Sequence, residues 1–142
     1  MLDNILTGIA LVCLTTVIQA FFMVTGFKIA KWRALRQEHT QREAGKALAI
    51  SLFTAWMFTG AVIEALLWAV VYLAIPSITG LPNLETALYF SMATFTTVGY
   101  GDVVLTGGWR MLSSIQAANG MIIFGWTTAV IFYFIQQVYT RH

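Results

Sequence analysis

Charge is scarce in this chain. Of its 142 residues only 14 are charged, eight Lys or Arg and six Asp or Glu, and 58% are hydrophobic. An ordinary soluble domain is about 25% charged and about 45–50% apolar, so this composition argues against a water-exposed surface of the usual kind. The net charge is only +2, and outside one segment no basic stripe offers a footprint for nucleic acid, which is excluded as a partner. A single cysteine, Cys13, excludes an intramolecular disulfide and a thiolate metal cluster; in its apolar run it is expected to pack as a small hydrophobe. The two histidines, His39 and His142, lie in polar flanks without a ligand partner at metal spacing and are expected to be solvated. Internal repeats and low-complexity stretches are also missing.

What the chain has is long uncharged runs. Ile5 to Phe27 carries no charge and as a helix would extend about 34 Å, enough to cross a hydrocarbon core of about 30 Å. The flank Met1-Leu2-Asp3-Asn4 lacks the basic start of a secretory signal, so this first helix is read as retained. Six of the eight bases follow between Lys28 and Lys46. Short loops of this bias stay on the cytoplasmic side, which places the amino terminus outside. Ile29, Trp32 and Leu35 recur at helical spacing among these bases, consistent with either a short amphipathic helix on anionic lipid headgroups or a solvated basic loop. Ala47 to Ile75 has Glu64 as its only charge, spans about 44 Å as a helix and ends at Pro76.

The turn-rich PSITGLPN, residues 76–83, then leads to Asn83 as a helix N-cap with Glu85 in the first turn. The apolar run from Leu84 to Phe95 is too short to cross a bilayer and is expected to re-enter and stop. Met111 to Thr140, flanked by Arg110 and Arg141, is a third spanning helix of about 45 Å. With Arg110 the only base left outside, the loop at 28–46 and the carboxyl terminus fall on the cytoplasmic side of an inner or plasma membrane.

Between the short helix and the third span stands Thr96-Thr97-Val98-Gly99-Tyr100-Gly101-Asp102. Gly99 and Gly101 permit backbone angles that L-residues rarely adopt, as a loop turning successive carbonyls toward one axis would need. This stretch resembles the selectivity filter of the potassium channels, TVGYG followed by Asp, in which four loops offer backbone carbonyls in place of the ion's water shell. The resemblance covers residues 47–142 as a pore domain, with outer helix 47–75, pore helix 84–95, filter 96–102 and inner helix 110–140; residues 1–46, an extra helix and the basic loop, lie outside it. It implies an all-α membrane protein of three transmembrane helices plus a re-entrant pore helix and filter loop, homotetrameric around a central pore. Irregular backbone at membrane depth must be buried by protein or line a cavity, and one loop cannot surround an ion.

By the same resemblance, K+ would bind at Thr97, Val98, Gly99 and Tyr100, with Val98 and Tyr100 bracing the loop from behind. Thr96, Gly101 and Asp102 would support the filter and form its outer mouth. Tyr89 and Phe90 resemble the aromatic pair that surrounds such filters. Gly120 and Gly125 are candidate hinges of the inner helix, although Gly120 among small neighbours would equally serve close packing. Phe132, Tyr133 or Phe134 could supply a closing ring near the cytoplasmic end. Some related bacterial channels pair the filter Asp with an acid nine residues earlier; here that residue is Ala93. The first helix has no bases to sense voltage.

Glu64 is the one ionisable residue inside a span and is a candidate proton or hydrogen-bond site, with Gln116, Asn119 and Trp126 as possible partners. No cofactor is expected beyond the permeant K+, and neither a nucleophile–base pair nor a metal constellation points to an enzyme. The alternatives to a potassium-selective channel are a weakly selective cation pore and a non-conducting membrane scaffold or regulatory subunit.

Overall fold

The computed structural model describes residues 2–36 and 43–140. Its elements are α1 (Leu2–Arg36), α2 (Glu43–Ala74), α3 (Leu84–Phe95), a single 3-10 turn at Gly107–Trp109 and α4 (Arg110–Thr140). Three of these helices, α1, α2 and α4, are long and apolar enough to cross a membrane, and no strand forms among the described residues. The fold is all-α.

α1 does not stop at Phe27. It runs on through Lys28 to Arg36 as one helix, because Lys, Arg and Ala favour helix and the long stems of Lys and Arg let a charged head leave an apolar neighbourhood. A separate surface helix is therefore not formed at 28–36. The side chains of Trp32 and Leu35, with His39 and His142, lie outside the described residues.

α1 buries a single stripe, Asn4, Gly8, Leu11, Thr15, Gln19, Phe22 and Gly26, spaced three and four apart as one helix face requires. Its upper half runs parallel to α4: Asn4 Nδ2 donates to the Gly108 carbonyl, Thr15 receives a 2.9 Å bond from Asn119 Nδ2, and Gln19 Nε2 donates to the Thr127 hydroxyl. Its lower half runs antiparallel to α2, where Phe22 lies on Gly60 and Trp56 Nε1 donates to the Phe22 carbonyl at 2.9 Å. Small residues allowing close approach and polar pairs are what hold helices together where lipid removes the hydrophobic drive. Cys13 is exposed on the opposite face, so it does not pack in the core as expected; the buried stripe passes it by.

α2 and α4 are antiparallel. Phe53 stacks on Phe134 at 4.2 Å near one end of the bundle, and Trp68, Tyr72, Phe90, Leu105 and Leu112 form the core near the other. Asn83 caps α3 by accepting the Thr86 N–H at 2.8 Å. The chain before α3 and the chain after the following loop meet in an antiparallel bridge between Thr79 and Thr106. Between these points α3 descends until Phe95 packs with Ala61 and Ile123, about 15–20 Å below the bundle end at 1.5 Å per residue. It enters and turns back.

A buried hydrogen-bond chain fixes α3 in place. Tyr72 Oη donates to Gln116 Oε1 at 2.7 Å, Gln116 Nε2 donates to Ser91 Oγ at 2.7 Å, and Ser91 Oγ donates to the Ala65 carbonyl at 2.6 Å. All three side chains are buried, so the chain joins α2 to α4 and ties α3 to both without competition from solvent. Tyr72→Phe leaves the Gln116 oxygen unpaired, which costs about 1–3 kcal/mol. Thermal unfolding of the purified variant in detergent is expected to show a lower midpoint with the helical content unchanged.

Candidate functional site

The loop Thr96–Asp102 hangs from the carboxyl end of α3. Thr96 donates from its backbone N–H to the Met92 carbonyl at 2.9 Å, Thr97 N–H to the Thr94 carbonyl at 2.9 Å and Gly99 N–H to the Ala93 carbonyl at 3.0 Å. The loop's amides therefore satisfy three of the last four carbonyls of α3, which a helix end otherwise leaves unpaired. The carbonyls of Thr97, Val98, Gly99 and Tyr100 accept no hydrogen bond among the described residues.

Backbone hand alternates along this loop. Thr97, Gly99 and Gly101 have φ of 63°, 54° and 80°, with Val98 and Tyr100 between them on the ordinary side. Alternating left- and right-handed residues turn successive peptide groups the same way instead of in opposition, leaving a row of unpaired carbonyls. The glycines adopt these angles without cost, whereas Thr97 does so under strain held by its N–H bond to Thr94. Nothing in the sequence marks Thr97 as left-handed; only the alternation of the finished loop requires it.

Tyr100, 71% exposed in the single chain, lies parallel to Tyr89 with ring centres 6.3 Å apart. Val98, 53% exposed, has no such brace within one chain. The two aromatics of α3 divide their work: Tyr89 faces the loop, and Phe90 is buried edge-on to Tyr72 at 5.4 Å.

Tyr89 Oη also donates to Asp102 Oδ2 at 2.8 Å. The acid that pairs with this Asp in some related channels is replaced by Ala93, and the bond comes instead from Tyr89, one turn earlier on α3, which no sequence pattern marks. The Asp102 carboxylate, by accepting this bond, pushes the Tyr89 phenol above the usual tyrosine range, so the phenol stays a donor throughout the neutral range. Tyr89→Phe is expected to release Asp102 and lower steady-state ion flux through reconstituted protein several-fold, with the preference among ions kept.

At the foot of the loop α4 passes so close to α3 that a Cβ on Gly120 would collide with the Phe95 carbonyl, whose carbon lies 2.8 Å away. Gly125, by contrast, has nothing within 4 Å. Of the three aromatics near the other end of α4, Phe134 is buried against Phe53 and is thereby unavailable for a closing ring; Phe132 and Tyr133 are exposed.

Glu64 is fully buried at 0% exposure, and neither carboxylate oxygen has a hydrogen-bond partner. Of the expected partners, Gln116 is engaged with Tyr72 and Ser91 and the Asn119 amide nitrogen with Thr15, while the Asn119 oxygen is left without a bond and Trp126 makes none to Glu64. Among the described residues no group of three or more His, Cys, Asp or Glu is placed to hold a metal ion.

A loop of free carbonyls, carried by a short helix inserted among three membrane-length helices, has the architecture of an ion pathway. The family model described as ion channel matches residues 47–137. The chain belongs to this ion channel family. The match spans most of α2, all of α3, the loop and most of α4, and excludes α1. No curated protein and no solved structure matches the chain. As an ion channel with three membrane-length helices, it is a multi-pass membrane protein.

Proposed function

We propose that this ion channel is potassium-selective and that four copies surround the pore, each contributing the loop Thr96–Asp102. The observation that carries the reading is the alternation of hand at Thr97, Gly99 and Gly101, which leaves four consecutive carbonyls, Thr97 to Tyr100, free to replace the water around a dehydrated cation.

Assembly is supported by what one chain leaves uncovered. Val98, Gly99, Tyr100, Gly101 and Asp102 are all exposed, although non-helical backbone at membrane depth needs cover from protein or a water-filled cavity. Behind the loop an open hollow of about 310 Å³ is lined by Tyr89, Ala93, Thr97, Tyr100, Ser114 and Ala117. Neighbouring subunits would close both surfaces. Lys28 and Lys46 lie at the bundle end away from the loop, and Arg110 beside it, so the excess of bases between Lys28 and Lys46 favours the far end as cytoplasmic and an anionic lipid surface as its contact.

Liposomes loaded with potassium and carrying the purified protein test the reading. Release of potassium with little exchange for sodium is expected. Equal fluxes of the two ions would reduce the protein to a weakly selective cation pore, and no flux from a stable monomer would favour a non-conducting module.

A further inference from the structure

Helix register brings a set of orphan acceptors to one level. On the α1–α2 contact Leu11 packs with Trp68 and Tyr72, and Phe22 lies on Gly60. The helices are antiparallel, so Glu64 falls opposite the turn of α1 between Thr15 and Gln19. The bond from Asn119 to Thr15 puts α4 at the same level. Here Glu64 Oε1 and Oε2, Gln19 Oε1 and Asn119 Oδ1 are buried without partners, and among the described residues the only buried side-chain donor in the same state is Trp68 Nε1, one turn along α2. Four acceptor atoms face one donor. Buried polar groups in native proteins are paired, so this seam lacks donors.

We infer that Glu64 is a proton-binding site in the seam of α1, α2 and α4, holding its proton at neutral pH and donating it as a hydrogen bond to Asn119 Oδ1 or Gln19 Oε1. One proton converts an orphan acceptor into a donor and satisfies a second orphan, and it removes a charge that has no counter-ion. The groups that helix register brings to the level of Glu64 supply none: Thr15 and Gln19 on α1, Asn119 and Ile123 on α4 and Phe95 on α3 do not titrate. The nearest titratable side chain on its own helix within the core, Tyr72, is two turns away and is bonded to Gln116; Cys13 points out of the bundle. A proton also needs no volume, and Ala65, Trp68 and Ile123 around this level are fully buried.

The site would couple to conduction, a consequence that rests on the channel reading. Asn119 precedes Gly120, whose backbone meets Phe95 at the foot of the loop, so loss of the proton is felt where the inner helix supports the filter.

The test reads protonation and not flux, so it stands or falls independently of that reading. Protein labelled with 13C-carboxyl glutamate, in lipid vesicles at pH 7, is expected to show an infrared band of a protonated carboxyl that is lost in Glu64→Gln. Should that variant fail to fold, the triple variant Glu38→Gln, Glu43→Gln and Glu85→Gln leaves Glu64 as the sole labelled residue and is expected to retain the band. The band is expected to shift in Asn119→Leu or in Gln19→Leu, identifying the acceptor. Labelled glutamate found only as carboxylate at pH 7 would overturn the proposal, as would a band unmoved by either acceptor variant.

Discussion

Gly99→Ala is expected to lower potassium flux through reconstituted protein at least tenfold while leaving the protein folded and assembled. No atom lies within 4 Å of the position a Cβ would take on Gly99, so the substitution meets no clash. The cost is conformational. At φ 54° an alanine is disfavoured by about 1–2 kcal/mol, and relaxing that angle rotates the peptide groups on either side, turning the Val98 and Gly99 carbonyls out of the row. In the proposed assembly of four chains the effect is multiplied at one pore. The same cost is small beside the burial that holds the helices, so size-exclusion profiles and helical content are expected to match the parent.

Gly120→Ala is expected to act in the opposite way, through the fold. A methyl group there meets the backbone carbonyl of Phe95, which cannot move aside as a side-chain tip can. Overpacking of this kind costs about 1–3 kcal/mol, occasionally more, and it pushes α4 away from the end of α3 that carries the loop. Lower thermal stability, with loss of flux, is expected. Gly125→Ala provides the control: the position is open and alanine favours helix over glycine by about 1 kcal/mol, so stability should hold or rise. A loss of flux in Gly125→Ala with stability intact would point to bending at that residue; full stability in Gly120→Ala would contradict the close approach described above.

The parts legible in the sequence were those encoded locally. The length of the Leu84–Phe95 run, the capping side chain of Asn83 and the uncharged lengths of the three long helices each follow from neighbours in the chain. Local pattern failed at Phe27, where a change in composition marks where bases begin and not where helix ends. It failed again for Glu64, because Gln116 was a suitable partner by chemistry but was taken by Tyr72 and Ser91, and the donor nitrogen of Asn119 was taken by Thr15. Which polar groups meet across a seam depends on helix rotation, and a single sequence records that only as a stripe. The stripe from Asn4 to Gly26 is hidden in an almost wholly apolar run, which is why Cys13 was expected in the core and lies outside it. The strain at Thr97 and the bond from Tyr89 to Asp102 belong to the closed loop and have no local signature.

In the proposed channel the carbonyls of Thr97, Val98, Gly99 and Tyr100 bind dehydrated potassium on an axis shared by four chains. Anomalous diffraction from crystals of the full chain grown with thallium, which substitutes for potassium, tests it most directly. A column of ion density is expected on a four-fold axis, level with these carbonyls and absent from crystals grown in sodium alone. Four-fold assemblies without density at the loop, or chains whose loops do not share an axis, would contradict it.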